Sequence, residues 1–202
     1  AQNPKRVAQV FDRLTKITTP SIFLQDYFSK IRKDILRIPN GIDLSHYQYY
    51  HRQNPTPNIV WLRALHKIYA PWEAVEVLYI LRNKFPNINL TLVGPDKNDG
   101  SLEKVEWLIH RYQLKDAVKI IGGVDKEKVP FWLNQGDIFI NTTRIESFGV
   151  SVLEAAACGL PIVTTDAGEL PNLWENEVNA LVVPVDDAIA MAVAVDRILS
   201  EP

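Results

Sequence analysis

Asn141-Thr-Thr-Arg-Ile-Glu146-Ser-Phe-Gly149-Val-Ser-Val-Leu-Glu154-Ala-Ala-Ala-Cys158-Gly-Leu-Pro161 is the stretch whose reading decides the fold of this chain. The preceding Asp137-Ile-Phe-Ile-Asn141 is a short apolar run of the kind that forms a buried strand. Ser147-Phe148-Gly149 then opens an apolar helix that ends at Gly159-Leu160-Pro161, a glycine followed by a proline stop. Glu146 and Glu154 therefore lie eight residues apart across a strand-to-helix turn, one in the turn and one about two helical turns inside. The first N–H groups of that helix sit next to Glu146. A helix start favours bound anions, so a phosphate and the hydroxyls attached to it are its natural ligands.

Working outward, apolar runs and helical patterns alternate along the whole chain, which predicts an α/β fold with a parallel sheet and helices on both faces. Strands are expected near 21–24, 35–38, 58–62, 89–93, 118–121, 137–141, 161–164 and 180–183. Helices are expected at 5–17, 25–33, 71–84, 102–112, 126–135, 150–158, 170–174 and 188–200. In open sheets of this type ligands bind beyond the carboxyl ends of the strands. Arg63, Gly94-Pro95-Asp96, Gly122-Gly123-Val124 and Glu146 each follow an expected strand, so four loops converge on one edge.

Residues 1–34 differ in kind. Val7, Val10, Phe11, Leu14 and Ile17 recur at helical spacing, with Lys5, Arg6, Arg13 and Lys16 between them, a basic amphipathic helix. It reads either as the last helix of a preceding domain or as an element that lies on a membrane surface. Residues 40–57, polar and aromatic, form the link into the larger unit.

A chain of 202 residues suits one α/β domain, which at this size buries about 70% of its unfolded surface. A net charge of −2 and a pI near 6.1 supply no basic face, which argues against nucleic acid as a partner. Cys158 is the single cysteine, so there is no internal disulfide and no cysteine-based zinc site; it reads as core packing and fits a reducing, cytoplasmic compartment. No apolar run approaches the ~18 residues of a membrane span. His46, His51, His66 and His110 lack metal-ligand spacing, and Asp186-Asp187 reads as a helix cap rather than a metal site. No Ser-His-Asp, HExxH or P-loop pattern is present.

The segment from Glu146 through Glu154, Asp166-Ala-Gly168-Glu-Leu-Pro171 and Asn176-Glu-Val-Asn179 to Pro184-Val-Asp186 resembles the E-x7-E signature region of the retaining glycosyltransferases of family 4. Upstream, Ile38-Pro-Asn-Gly-Ile-Asp43 resembles the entry to that family's C-terminal domain. The resemblance implies the Rossmann-like, donor-binding half of a GT-B fold over residues 38–202, with its last helix cut short. Residues 1–37 would be the end of an acceptor-binding N-terminal domain, and peripheral association of the longer protein with the inner membrane face is an expectation of the same reading.

On that resemblance the ligand is a nucleotide-diphosphate sugar, and no cofactor or metal is required. Arg63 and Lys67 are implied to meet the donor diphosphate, as a bidentate fork and a compact charge respectively. The family's Gly-Arg-Leu pattern appears here as Leu62-Arg-Ala-Leu-His-Lys67, with a shortened spacing that leaves a solvent-facing Lys67 as the other reading. Glu154 is implied to accept from the ribose hydroxyls and Glu146 to face the sugar, with backbone N–H groups of Ser147, Phe148, Gly149 and Val150 turned to sugar and phosphate. Gly94, Gly123 and Val124 are implied to lie against the base, with ordinary strand-to-helix turns as the alternative. The function that follows is transfer of a hexose from UDP or GDP to an acceptor hydroxyl, the isolated domain itself being inactive. Two alternatives stay open: a free-standing nucleotide-sugar or partner-binding domain, and another GT-B enzyme such as an epimerase.

Overall fold

The computed structural model describes residues 4–201; residues 1–3 of the expected N-terminal segment and Pro202 lie outside the described residues. Six strands, β3 (Asn58–Leu62), β4 (Asn89–Val93), β5 (Val118–Gly122), β6 (Ile138–Asn141), β7 (Ile162–Thr165) and β8 (Leu181–Val183), form one sheet in the order β5-β4-β3-β6-β7-β8. Every neighbouring pair is parallel. The chain builds outward from β3 to β5, returns to place β6 beside β3, and builds outward again. The strand order thus reverses between β3 and β6, the position at which open α/β sheets hold their ligands.

Side-chain alternation along β3 shows how both faces are covered. Ile59 and Trp61 join a core formed with α3 (Pro71–Leu81), α4 (Ser101–Arg111) and α8 (Ala188–Ser200). Val60 and Leu62 join the opposite core, formed with α5 (Val129–Leu133), α6 (Val150–Ala157) and α7 (Leu170–Leu173). A strand segment buried on both faces is apolar throughout, which is why residues 59–62 of β3 read as a continuous hydrophobic run. Cys158 lies fully buried in the second core. Asp187 caps α8, its Oδ1 accepting from the N–H of Ala190 at 2.8 Å.

The N-terminal segment corrects three expectations. The helix expected at 5–17 ends early, as α1 (Pro4–Phe11), because the Arg32 guanidinium takes the carbonyls of Phe11 and Leu14, each at 2.6 Å. Residues 21–24 are not a strand: Ser21 caps α2 (Ile22–Ser29), its Oγ accepting from Leu24 N–H at 3.1 Å. The helix expected at 25–33 is this α2, starting earlier. The strands here are β1 (Ile17–Thr19) and β2 (Ile35–Arg37), a parallel pair separate from the six-stranded sheet. Farther on, the helix expected at 126–135 is divided into a 3-10 turn, Lys126–Lys128, and α5. Pro130 has no N–H and is accommodated only near a helix start, so the α-helical register begins beside it. Among the described residues no helix is long and apolar enough to cross a membrane.

Candidate functional site

The loops that leave β3 and β6 meet at the reversal point. Glu146, 2% exposed, accepts at Oε2 from Nη2 of Arg63 at 2.5 Å, and at Oε1 from the N–H groups of Ser147 (3.0 Å) and Phe148 (3.2 Å). The Arg63 guanidinium lies 4.4 Å from the centroid of the Tyr69 ring, a cation–π arrangement. Its Nε is buried without a partner.

Hydrogen bonds lace the two loops together from beneath. Trp61 Nε1 donates to Thr142 Oγ1 at 2.9 Å, Thr142 Oγ1 donates to the carbonyl of Tyr69 at 2.7 Å, and Arg144 N–H donates to the carbonyl of Ile68 at 2.8 Å. Burying polar groups is tolerated only when they are paired, so these bonds fix the loops' relative position.

Glu154, 4% exposed on α6, forms the second pole. Its Oε1 accepts from the Tyr47 hydroxyl at 2.5 Å and from Lys126 Nζ. Burial, and then the adjacent carboxylate, push the Tyr47 phenol above its usual range, so it stays a donor. A cleft of about 240 Å³ runs between the poles, lined by Arg63, Gly94, Pro95, Val124, Lys126, Val150 and Glu154 among others. A second cleft, of about 350 Å³, is lined by Gly41, Asp43, Tyr47, Lys126 and Val150 among others, so Lys126 stands between the two.

Most of the residues singled out from sequence meet here. Arg63, Gly94, Val124, Val150 and Glu154 line the first cleft, Glu146 reaches it through Arg63, and Gly123 abuts Pro95 at the cleft wall. Ser147 and Phe148 differ from expectation, because their N–H groups are taken by Glu146 itself. Gly149 begins α6 at φ +95°, with Leu170 Cδ2 2.8 Å from where a Cβ would stand; its lack of a side chain serves packing against α7. Lys67 is exposed and outside the lining of the cleft, since Leu65 pairs with Asp96 and turns the loop away; its N–H donates to Asp99 at 2.9 Å.

Lys126 and Tyr47 were not singled out from sequence. Lys126 had a signal, being a cation two residues after Val124 beyond β5. Tyr47 had none, as its contact with Glu154 spans 107 residues. A further cluster borders the same loops. Arg144 pairs with Asp186 at 2.5 Å and lies 3.6 Å from Glu73, whose carboxyl is pushed up to about 8 by burial and by Asp186. Among the described residues, no group of His, Cys, Asp and Glu side chains is arranged to hold a metal ion.

An open parallel sheet with helices on both faces and a guanidinium, an ammonium and two buried carboxylates near its reversal point defines a Rossmann-like α/β domain. Residues 54–202 match the family described as glycosyl transferases group 1, and the chain belongs to that family. It is 36% identical over 104 residues to a component of the human phosphatidylinositol N-acetylglucosaminyltransferase, covering 52% of this chain and 21% of that protein. With the glycogen synthase of Mycobacterium tuberculosis it is 26% identical over 200 residues, 96% of this chain and 44% of that protein. The chain therefore spans less than half the length of these relatives.

Solved structures share the fold. The sucrose-phosphate synthase of Thermosynechococcus elongatus superposes with a TM-score of 0.82 at 24% identity, over 97% of this chain and 52% of that one. Anabaena Alr3699/HepE in complex with UDP and glucose superposes at 0.83 with 21% identity, over 97% of this chain and 56% of that one. The six-stranded sheet is the Rossmann-like sheet of such GT-B proteins.

Proposed function

We propose that this chain is the nucleotide-sugar-binding domain of a retaining glycosyltransferase of family 4, one that transfers a hexose from UDP or GDP to an acceptor hydroxyl. The observation that carries this reading is the convergence of Arg63, Glu154 and, through Arg63, Glu146 on one cleft at the strand-order reversal. Arg63 meets the diphosphate. Lys126, rather than Lys67, is the ammonium in the cleft and adds a second positive charge there. Glu154 accepts from the ribose 2′- and 3′-hydroxyls, each charge-assisted bond being worth about 1.5–3 kcal/mol. Glu146 faces the hydroxyls of the sugar, and Gly94, Gly123 and Val124 form the wall for the base.

In the reaction the bond from the anomeric carbon to the diphosphate oxygen breaks, and its electron pair leaves on the diphosphate. The acceptor oxygen attacks from that same face and its proton passes to the departing diphosphate oxygen, so configuration is kept. Positive charge beside the leaving group lowers this barrier, and one such preorganised group typically contributes about 2.7–4 kcal/mol. Glu146 and Glu154 bind and orient; they are not an acid/base pair of the glycosidase kind. No metal or cofactor is assigned a part.

The glycogen synthase and sucrose-phosphate synthase matched above are about twice as long as this chain, which supports an acceptor-holding N-terminal domain facing the cleft, with residues 4–37 as its end; turnover then needs both halves. Among the described residues, the basic amphipathic start of the chain is the part suited to a membrane surface, which fits relatives whose names include phosphatidylinositol. The test is calorimetric titration with UDP, GDP and ADP. Saturable binding of one diphosphate, weakened by Arg63→Ala, supports the reading, and binding of none contradicts it. Glu146→Ala should weaken binding of the complete donor much more than binding of UDP.

A further inference from the structure

Another buried carboxylate, Glu169, is used by none of these roles. Glu169 is 2% exposed and precedes α7. Its Oε1 accepts from Ile22 N–H at 3.1 Å and its Oε2 from Phe23 N–H at 2.8 Å, the first two N–H groups of α2. Asn172 Nδ2 adds a third bond at 3.0 Å. A carboxylate at a helix start meets both the unpaired N–H groups and the positive end of the helix dipole, so this is a strong attachment.

The backbone of the same residue grips the other side. Glu169 N–H donates to the carbonyl of Glu146 at 3.1 Å. That approach requires glycine at the preceding position: Gly168 has φ +58°, and a Cβ there would stand 1.9 Å from the Glu146 carbonyl oxygen. One residue thus joins the turn carrying Glu146 to the start of α2. That helix belongs to the segment built around β1 and β2, outside the six-stranded sheet.

We propose that Glu169 is a positioning residue for the donor sugar: it couples the Glu146 turn to the N-terminus of α2, so that the placement of α2 sets how Glu146 meets the sugar. The inference rests on the reading of Glu146 as the residue that faces the sugar. It adds a transmission route, by which any shift of the α2 segment against the sheet reaches Glu146 and the sugar end of the cleft, while Glu154, held on α6 by Tyr47 and Lys126, keeps its place at the nucleotide end.

The experiment compares calorimetric affinities of the full chain for UDP, UDP-glucose and UDP-N-acetylglucosamine, or for GDP, GDP-glucose and GDP-mannose read in the same way where GDP is the diphosphate that binds, in the unmutated protein and in Glu146→Ala, Glu169→Ala and Glu169→Gln. The quantity read is the gain of the better UDP-sugar over UDP. Both Glu169 variants should hold UDP within about twofold while that gain falls about tenfold, the size of one lost charge-assisted contact. A gain that survives in Glu169→Ala and Glu169→Gln but falls in Glu146→Ala overturns the coupling and leaves the reading of Glu146 standing. A gain that survives in Glu146→Ala, or is absent from the unmutated chain, overturns both. Amide hydrogen exchange on the unmutated chain gives a check that needs no variant. The UDP-sugar, compared with UDP alone, should slow exchange at Ile22 and Phe23, and equal exchange in the two complexes overturns the proposal.

Discussion

Arg63 Nη2 and Glu146 Oε2 stand 2.5 Å apart, joining the end of β3 to the turn between β6 and α6. The Glu146 side chain is 2% exposed and that of Arg63 23%, so the carboxylate depends on this one guanidinium for its charge partner. Arg63 therefore carries two tasks, holding Glu146 and presenting charge to the cleft.

Removing Arg63 should cost stability as well as binding. Breaking a buried ion pair from one side leaves an uncompensated charge; allowing for the solvent that reaches Arg63, Arg63→Ala should destabilise by about 2–3 kcal/mol. Urea denaturation checks this. The Arg63→Ala/Glu146→Gln double variant should recover part of the loss, because the amide needs no counter-charge.

The Tyr47 hydroxyl orients Glu154 without lining the first cleft. Tyr47→Phe should leave the fold intact and weaken nucleotide binding about three- to tenfold, less than the full worth of one hydrogen bond to a charged acceptor because Tyr47 acts only by orienting Glu154. Lys126→Ala should weaken it further and reduce its dependence on salt, since an exposed cation is lost from the cleft. Titration at two ionic strengths separates the two variants.

Glu73 gives a pH dependence with a defined sign. Its folded value is raised to about 8 from 4.5, so between those values the native chain binds a proton that the unfolded chain does not. The stability this carboxyl contributes is full below about 4.5 and is lost as pH rises through about 8. Melting temperature should fall across that window in the unmutated protein, and Glu73→Gln should flatten the slope.

Thr142 ties the β3 and β6 loops through Trp61. Thr142→Val keeps the shape and leaves Trp61 Nε1 buried without an acceptor, which should cost about 1–3 kcal/mol. Thr142→Ser retains the hydroxyl and should cost less than about 1 kcal/mol. Chemical denaturation of the two variants measures the difference.

Local pattern determined how much was legible beforehand. β3 and β4 have the bounds expected from their apolar runs, because residues 59–62 and Leu90, Leu92 and Val93 are buried in the sheet. Ser21-Ile-Phe-Leu24 misled for a related reason: a short apolar run does not distinguish strand from helix, and what decides it is capping by Ser21 and by Glu169, a residue 147 positions from Ile22. Arg63 and Glu146 each follow a strand and Glu154 lies within a helix, but position alone did not single them out; the resemblance of the whole segment did. For Lys67 the solvent-facing alternative is the one its exposure fits, and the Leu65–Asp96 pairing beside it is a contact between loops that spacing does not encode. Lys126 and Tyr47 converge on Glu154 only once the sheet is assembled.

The central claim is that Glu154 receives the ribose of a nucleotide donor. The most direct test compares, by calorimetry, whichever of UDP and GDP binds with its 2′,3′-dideoxy analogue, in the unmutated chain and in Glu154→Ala. The account predicts that losing the two hydroxyls weakens binding about 100-fold or more in the unmutated chain and by little in Glu154→Ala. An equal penalty in both proteins, or none in the unmutated chain, would contradict it.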